Sequence, residues 1–215
     1  MNNKKNIAAL FDLDGVVFNT EPQYTIFWGS QCKLYHPEIP DLEYKIKGQT
    51  LEQIYNSYFN DVIEEQSKIT ERLNIFEKNM HFDYVDGFLD FIKQLKENGV
   101  KTAVVTSSNK EKMERVYNYR PEFRSLFDAI LTSEMFSKSK PDPDCYLSGA
   151  TIFNTIPTNC VVFEDSFNGL KSGNAAGMAV VGLATTNSEE EISTFCTRVI
   201  KNYCHFRYSN FMDLL

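Results

Sequence analysis

The sequence predicts a doubly wound α/β fold, a parallel sheet covered by helices on both faces, with a helical insert after the first strand. Three observations carry this expectation. Runs of successive apolar residues stand at 7–11 and 160–163, and 100–106 holds a shorter one in Ala103-Val104-Val105, the pattern of strands buried on both sides. Segments with helical periodicity separate them, the length of connection that parallel pairing needs. Residues 16–81, by contrast, hold helical patterns and no convincing strand.

The elements follow in order. Ile7-Ala8-Ala9-Leu10-Phe11 is a strand, because five apolar residues in succession leave no face for water, and Gly15 punctuates its end. A first helix starts near Pro22 and carries Tyr24, Phe27 and Trp28. Thr50 with Gln53 three residues on forms a capping box, and Leu51, Ile54, Tyr55 and Tyr58 follow at i, i+3, i+4 and i+7. Ile69, Leu73, Phe76 and Met80 repeat that stripe. Strand and helix then alternate. Asp86 caps a helix with the apolar face Phe88, Phe91, Ile92 and Leu95, and Gly99 stops it. A strand at 100–106 leads into a polar helix start at Ser108-Asn109-Lys110, and 129–131 is a short strand. Asp142-Pro143 opens another helix, with proline at its tolerated first position. The strand at 160–163 ends in Glu164-Asp165, and the helix after it places Gly169, Gly173 and Ala176 on nearly one face for close packing on the sheet. Further strands at 178–183 and 198–200 complete the series.

At 215 residues the chain supports one substantial core with a smaller appended unit. Its 42% hydrophobic and 24% charged content is that of a globular protein. A net charge of −7 argues against nucleic acid or an anionic membrane as partner. An anionic ligand therefore needs local help from a metal, lysine or backbone amides. No apolar run approaches the roughly 18 residues of a membrane span, and Met-Asn-Asn-Lys-Lys is followed by no apolar signal core. The expectation is a cytoplasmic protein. The cysteines (Cys32, Cys145, Cys160, Cys196, Cys204) are scattered without a CxxC, and His36, His81 and His205 stand far apart. This argues against a zinc site or disulfide framework and for buried packing thiols.

The chemistry gathers at the carboxyl ends of the predicted strands. Asp12 and Asp14 leave the first strand on the same side, since residues two apart on an extended backbone share a face. Two carboxylates ~5 Å apart at an effective dielectric of ~20 repel by roughly 3 kcal/mol, so the pair implies a cation. Thr106-Ser107-Ser108-Asn109 ends the second strand, bringing hydroxyls and helix-start amides to a place where phosphate could sit. Alone it also reads as a plain helix cap. Lys140, alone a surface lysine, lies at the same predicted edge before a helix, and Glu164-Asp165 ends a later strand. The ordered set suits a phosphoryl group beside a hard divalent cation. EF-hand spacing is absent.

In this order the motifs resemble the haloacid dehalogenase superfamily of phosphotransferases. Phe11-Asp12-Leu13-Asp14-Gly15-Val16-Val17 is similar to its first motif, and Val104-Val105-Thr106-Ser107 to its second. Lys140-Pro141-Asp142-Pro143 is similar to the third, and Phe163-Glu164-Asp165-Ser166-Phe167-Asn168-Gly169 to the fourth. The resemblance implies a Rossmann-like core at 1–15 and 82–215 and a small all-helical cap domain at 16–81, in the branch of beta-phosphoglucomutases and sugar-phosphate phosphatases. It implies Asp12 as the nucleophile that becomes an aspartyl phosphate, and Asp14 as acid and then base. Thr106 and Lys140 would hold phosphate oxygens, beside Ser107, Ser108 and Asn109. Magnesium would be bound by the Asp12 side chain, the Asp14 backbone carbonyl and Asp165, with Glu164 a ligand or a partner behind them. Tyr24, Lys47 and Gln49 are the cap's candidate substrate contacts.

The sequence departs from the mutase pattern where a cap arginine becomes Leu51 and a histidine becomes Tyr24. Asn19, where many relatives have aspartate, is a smaller departure. The expected activity is therefore a magnesium-dependent phosphatase acting on a small phosphorylated metabolite such as a sugar phosphate. The alternatives are a beta-phosphoglucomutase-type hexose-phosphate mutase, a pyrophosphatase, or a non-catalytic protein on the same scaffold. A compact cap of this kind suits a monomer.

Overall fold

The structure, a computed structural model, describes residues 6–215. Its strands are β1 (Ala8–Phe11), β2 (Lys101–Val105), β3 (Ala129–Leu131), β4 (Cys160–Glu164), β5 (Ala179–Leu183) and β6 (Arg198–Ile200). They form one all-parallel sheet in the order β3-β2-β1-β4-β5-β6. The doubly wound α/β expectation holds. Between β1 and β2 come α1 (Glu21–Tyr35), α2 (Leu42–Lys45), α3 (Leu51–Tyr58), α4 (Ile63–Lys78) and α5 (Phe88–Glu97). Beyond β2 lie α6 (Lys110–Tyr119), α7 (Phe123–Leu126), α8 (Asp144–Ile152), α9 (Phe167–Ala175), α10 (Glu189–Ile192) and α11 (Tyr208–Met212).

Alternation along the strands divides the interior in two. Ala9 and Phe11 of β1 join Val161 and Phe163 of β4 and Phe88 and Phe91 of α5 on one face. Ala8, Leu10, Cys160 and Val162 join Tyr146 of α8 and Leu170 of α9 on the other. Both faces are apolar because both are covered, which is why β1 and the first four residues of β4 read as unbroken apolar runs. From β1 the chain winds outward in both directions, to β2 and β3 on one side and to β4–β6 on the other. At that reversal the flanking connections leave on opposite faces and a crevice opens beyond the strand ends. Phe11 pairs in register with both Val104 and Phe163, so the residues just after all three emerge there together.

The helices of the insert pack around their own cluster, which includes Phe27, Trp28, Ile54, Phe59 and Ile69. The Thr50 capping box is present: the hydroxyl accepts from the Gln53 N–H at 3.3 Å, and the Thr50 N–H donates to Gln53 Oε1 at 2.9 Å. Val16, Val17 and Phe18 instead belong to the cluster on the α5 face of the sheet.

Several local expectations shift. Gly87 at φ 79°, rather than Asp86, occupies the N-cap of α5. The left-handed turn there leaves Asp86 outside the helix, its carbonyl accepting from the Tyr203 N–H at 2.9 Å. Helix α8 starts at Asp144 with Pro143 as N-cap, because Asp142 Oδ1 accepts from the Asp144 N–H at 3.1 Å and so closes a turn before the helix. Met80 lies beyond the end of α4 and packs into the sheet-side cluster instead of the insert's. Cys32, Cys145 and Cys160 are buried thiols as expected, but Cys204 is exposed and Cys196 half-buried.

Candidate active site

Asp12 is the first residue beyond β1, and its N–H donates to the Phe163 carbonyl at 3.0 Å, which sets it beside the exit of β4. Lys140, 6% exposed, reaches in from the turn before α8. Its Nζ donates to Asp12 Oδ1 at 2.6 Å, to Glu164 Oε1 at 2.7 Å and to the Val105 carbonyl at 3.1 Å. Three acceptors satisfy all three protons of the ammonium.

Glu164 is saturated as well. Oε1 also accepts from the Tyr146 hydroxyl at 2.8 Å. Oε2 accepts from the N–H groups of Asp165 and Ser166 at 3.0 and 3.2 Å, and from the Ser166 hydroxyl at 3.1 Å. These bonds brace the turn from β4 into α9. A Cβ at Gly169 would lie 1.8 Å from Glu164 Oε1, so only glycine leaves room for this carboxylate. Asp165, 3% exposed, takes the Thr186 hydroxyl on Oδ2. Gly15, at φ 71°, places its backbone where a Cβ would meet that same oxygen at 2.0 Å. Carboxylate oxygens of Asp12, Glu164 and Asp165 all lie within 4.8 Å of one another.

Asp14 lies further along the same crevice. Its Oδ1 accepts from the Thr20 hydroxyl at 2.7 Å, and Oδ2 from Lys112 Nζ at 2.6 Å and the Ser108 hydroxyl at 3.3 Å. Nothing in the sequence set Lys112 apart from its neighbours. Its place follows from the helix: Asn109 caps α6, and a side chain in the first turn leans back over the helix start. Tyr146 and Thr186 carry no local sequence signal either, because the carboxylates they bond, Glu164 and Asp165, lie 18 and 21 residues away along the chain.

A cavity of about 430 Å³ opens between sheet edge and insert. Asp12, Asp14, Thr106, Ser107, Ser108, Asn109, Lys140 and Asp165 line its floor, and Tyr24, Lys47 and Gln49 line its insert side. Glu164 is the one candidate left out, since it sits behind Lys140. Leu51 and Trp28 also face the cavity, although Trp28 is packed into the insert's cluster. Asn168 of α9 seats the insert on the core, its Nδ2 donating to the Gly48 carbonyl at 3.4 Å and to Gln53 Oε1 at 3.2 Å.

The hydroxyl-rich segment after β2 is more committed than its sequence predicted. Asn109 Oδ1 accepts from the Lys112 N–H at 2.9 Å, making this side chain a helix cap. The Lys110 N–H donates to Glu134 at 2.9 Å, and the Ser108 N–H to the Thr106 hydroxyl at 3.0 Å. These amides are already paired. Gln49 also donates within the insert, to the Lys45 carbonyl at 2.7 Å.

Burial governs the charges. It pushes the Asp12 carboxyl up to about 7, with Glu164 and Asp14 adding to the effect and Lys140 opposing it. Asp165 is driven well above the usual carboxylate range by burial, then by Glu164, Glu21 and Asp12. Glu21 rises to about 7 through burial and the nearby Asp14. Burial also works against the Lys140 charge, but Asp12 and Glu164 outweigh it and hold the ammonium above its ordinary range. Fully ionised, Asp12, Glu164 and Asp165 would outnumber the single Lys140 ammonium by two charges, and burial with their mutual repulsion resists that state. Hard oxygen donors whose ionisation needs further positive charge fit a divalent cation of the magnesium type.

Comparison with known proteins agrees with this architecture. The chain is 28% identical over 183 residues to the phosphorylated carbohydrates phosphatase of Thermotoga maritima, covering 80% of this chain and 82% of that one. It is 28% identical over 195 residues to the beta-phosphoglucomutase of Bacillus subtilis, covering 82% of each. A crystal structure of a HAD hydrolase, family IA, variant 3, from Entamoeba histolytica superposes with a TM-score of 0.82 at 23% identity, covering 97% of this chain and 98% of that one, which bears on the fold. Residues 9–183 match the family described as haloacid dehalogenase-like hydrolase, and the protein belongs to that family.

Proposed function

We propose that the protein is a magnesium-dependent phosphatase of small phosphorylated metabolites, sugar phosphates among them, working through an aspartyl phosphate on Asp12. The observation that carries this reading is Asp12 at the floor of the cavity, 2.6 Å from a buried lysine and beside Asp165. In this reading the Asp12 carboxylate attacks phosphorus in line with the ester oxygen. Splitting hydrolysis into two carboxylate-mediated steps lowers each barrier. Lys140 steadies the nucleophile and offers charge to the transferring oxygens. Thr106 and the following serines bind the same group. Asp14 donates a proton to the departing oxygen and then takes one from the attacking water.

Asp12, Asp165 and the Asp14 backbone carbonyl would hold the magnesium ion, which supplies charge neutralisation at the transferring group. Glu164, with both oxygens occupied, holds Lys140 and the Asp165 turn in place. The helical insert, assigned to 16–81, acts as a cap that seats over the bound substrate and excludes water. Leu51 on the cavity wall favours water over a sugar phosphate as the second acceptor, because it offers no grip for a second phosphate. The free thiols fit a reducing compartment, and we read the protein as a cytoplasmic monomer. Among the described residues no helix is long and apolar enough to cross a membrane.

The test is phosphate release from a panel of sugar and other small monoesters with magnesium, and its loss on adding EDTA. A parallel arm supplies beta-glucose 1-phosphate with and without glucose 1,6-bisphosphate. Release of stoichiometric phosphate supports the reading, whereas isomer without matching phosphate establishes the mutase. No turnover of any ester overturns both.

Thermal unfolding gives a second prediction. The Asp12 carboxyl, raised to about 7, binds its proton more tightly folded than unfolded. Its contribution to stability is therefore full at low pH and is lost as pH climbs from about 4 to about 7. Magnesium binds the ionised carboxylates, so it should raise Tm more at pH 8 than at pH 5.5. At 100 times its Kd, the ~2.7 kcal/mol of linkage corresponds to about 5–10 °C at pH 8. An equal shift at both pH values would count against the Asp12 site.

A further inference from the structure

A second buried lysine has no part in the reading above. Lys112 of α6 is 6% exposed, and its Nζ lies 2.6 Å from Asp14 Oδ2 and 2.7 Å from the Tyr24 hydroxyl, to which it donates. Tyr24 belongs to the insert, on α1. Its hydroxyl donates onward to Glu77 Oε1 of α4 at 2.8 Å. Glu77 Oε2 in turn accepts from Arg115 at 3.2 Å, one turn beyond Lys112 on α6. The path therefore leaves the core at Lys112, crosses two helices of the insert and returns to the core at Arg115. Arg115 and Glu77 are largely buried, so bulk water screens the pair weakly.

We propose that Lys112 is a positioning residue for Asp14, and that its bond to Tyr24 makes that positioning depend on the insert being seated. This rests on the reading of Asp14 as acid and base. The Lys112 bond of 2.6 Å fixes Oδ2, which leaves Oδ1 to carry the proton that Asp14 gives up and regains, beside the Thr20 hydroxyl, which can either accept from it or donate to it. Without the lysine, Oδ2 keeps only the longer Ser108 contact at 3.3 Å, and the carboxylate is free to rotate away from the leaving oxygen. When the insert lifts, Lys112 loses Tyr24 and Arg115 loses Glu77. The acid is then aligned only over a closed, water-poor site.

Leaving-group dependence separates this from a structural or substrate-binding role. An alkoxide must be protonated as it departs, whereas p-nitrophenolate leaves without help. The ratio kcat/KM reports the steps up to formation of the aspartyl phosphate. We expect Lys112→Met to lower kcat/KM for an alkyl phosphate by about 100-fold, the low end of what a positioned acid supplies. The loss with p-nitrophenyl phosphate should stay under about 10-fold. Tyr24→Phe should give a smaller loss with the same skew, and Lys112→Arg should restore part of the alkyl rate. Circular dichroism checks the fold, and if Lys112→Met does not fold, Tyr24→Phe alone decides. Equal losses on both esters, or none on the alkyl ester, overturn the role of Lys112. A wild-type protein that turns over neither ester overturns the phosphatase reading, and this inference with it.

Discussion

Asp12→Asn is expected to abolish phosphate release, by at least about 10⁴-fold, while leaving the fold intact. The amide keeps an oxygen for Lys140, but it cannot attack phosphorus. Stability should move the other way from activity. At pH 8 without metal the wild-type carboxylate is held ionised in a buried site that pushes its pKa up to about 7, which disfavours the folded state. Asparagine cannot ionise, so the variant's Tm in EDTA at pH 8 should equal or exceed that of wild type. Its gain on adding magnesium should be smaller. Phosphate assays and thermal scans on the same preparation check both. Retained turnover would remove Asp12 as the nucleophile.

Lys140→Met should be damaging in both respects. The ammonium is the cationic partner of Asp12 and of Glu164, whose side chain is 1% exposed. Removing one partner of a buried ion pair costs about 3–5 kcal/mol, a fall of roughly 6–20 °C in Tm for a chain of this size. Turnover should drop by about 10³-fold, the upper range for loss of one preorganised donor at a developing charge. Adding Glu164→Gln removes the stranded charge, so the double variant should recover part of the lost Tm and none of the lost turnover. Recovery of both would make Lys140 a structural residue only.

The parts of this protein that could be read from its sequence are those where cause and effect lie within a few residues. Consecutive apolar residues announced β1 and β4, and Thr50 with Gln53 announced a capping box that is present. The structure departs from the local pattern where two local solutions were equally available. Asp86 and Gly87 both suit the start of a helix, and the left-handed turn at Gly87 prevailed. Asn109 offered either a cap or a ligand contact. The unpaired Lys112 N–H three residues on took its oxygen, since an unsatisfied buried donor costs more than one left in water. Tertiary packing, which carries Met80 past the end of its helix, chose the sheet-side cluster for it over the insert.

Sequence by itself determined the doubly wound sheet, the helical insert and the carboxylates at the exits of β1 and β4, because period, strand length and strand-end position are local properties. It also set the order of the motifs that mark the family. Only the tertiary structure decided the partners. It enclosed Glu164 behind Lys140, and it brought Lys112 to Asp14 across 98 residues of chain and Tyr24 to Glu77 across 53. The reason is physical. A buried charge takes whichever counter-charge the packed elements bring within hydrogen-bond reach, and that choice exists only once sheet and insert have closed on each other.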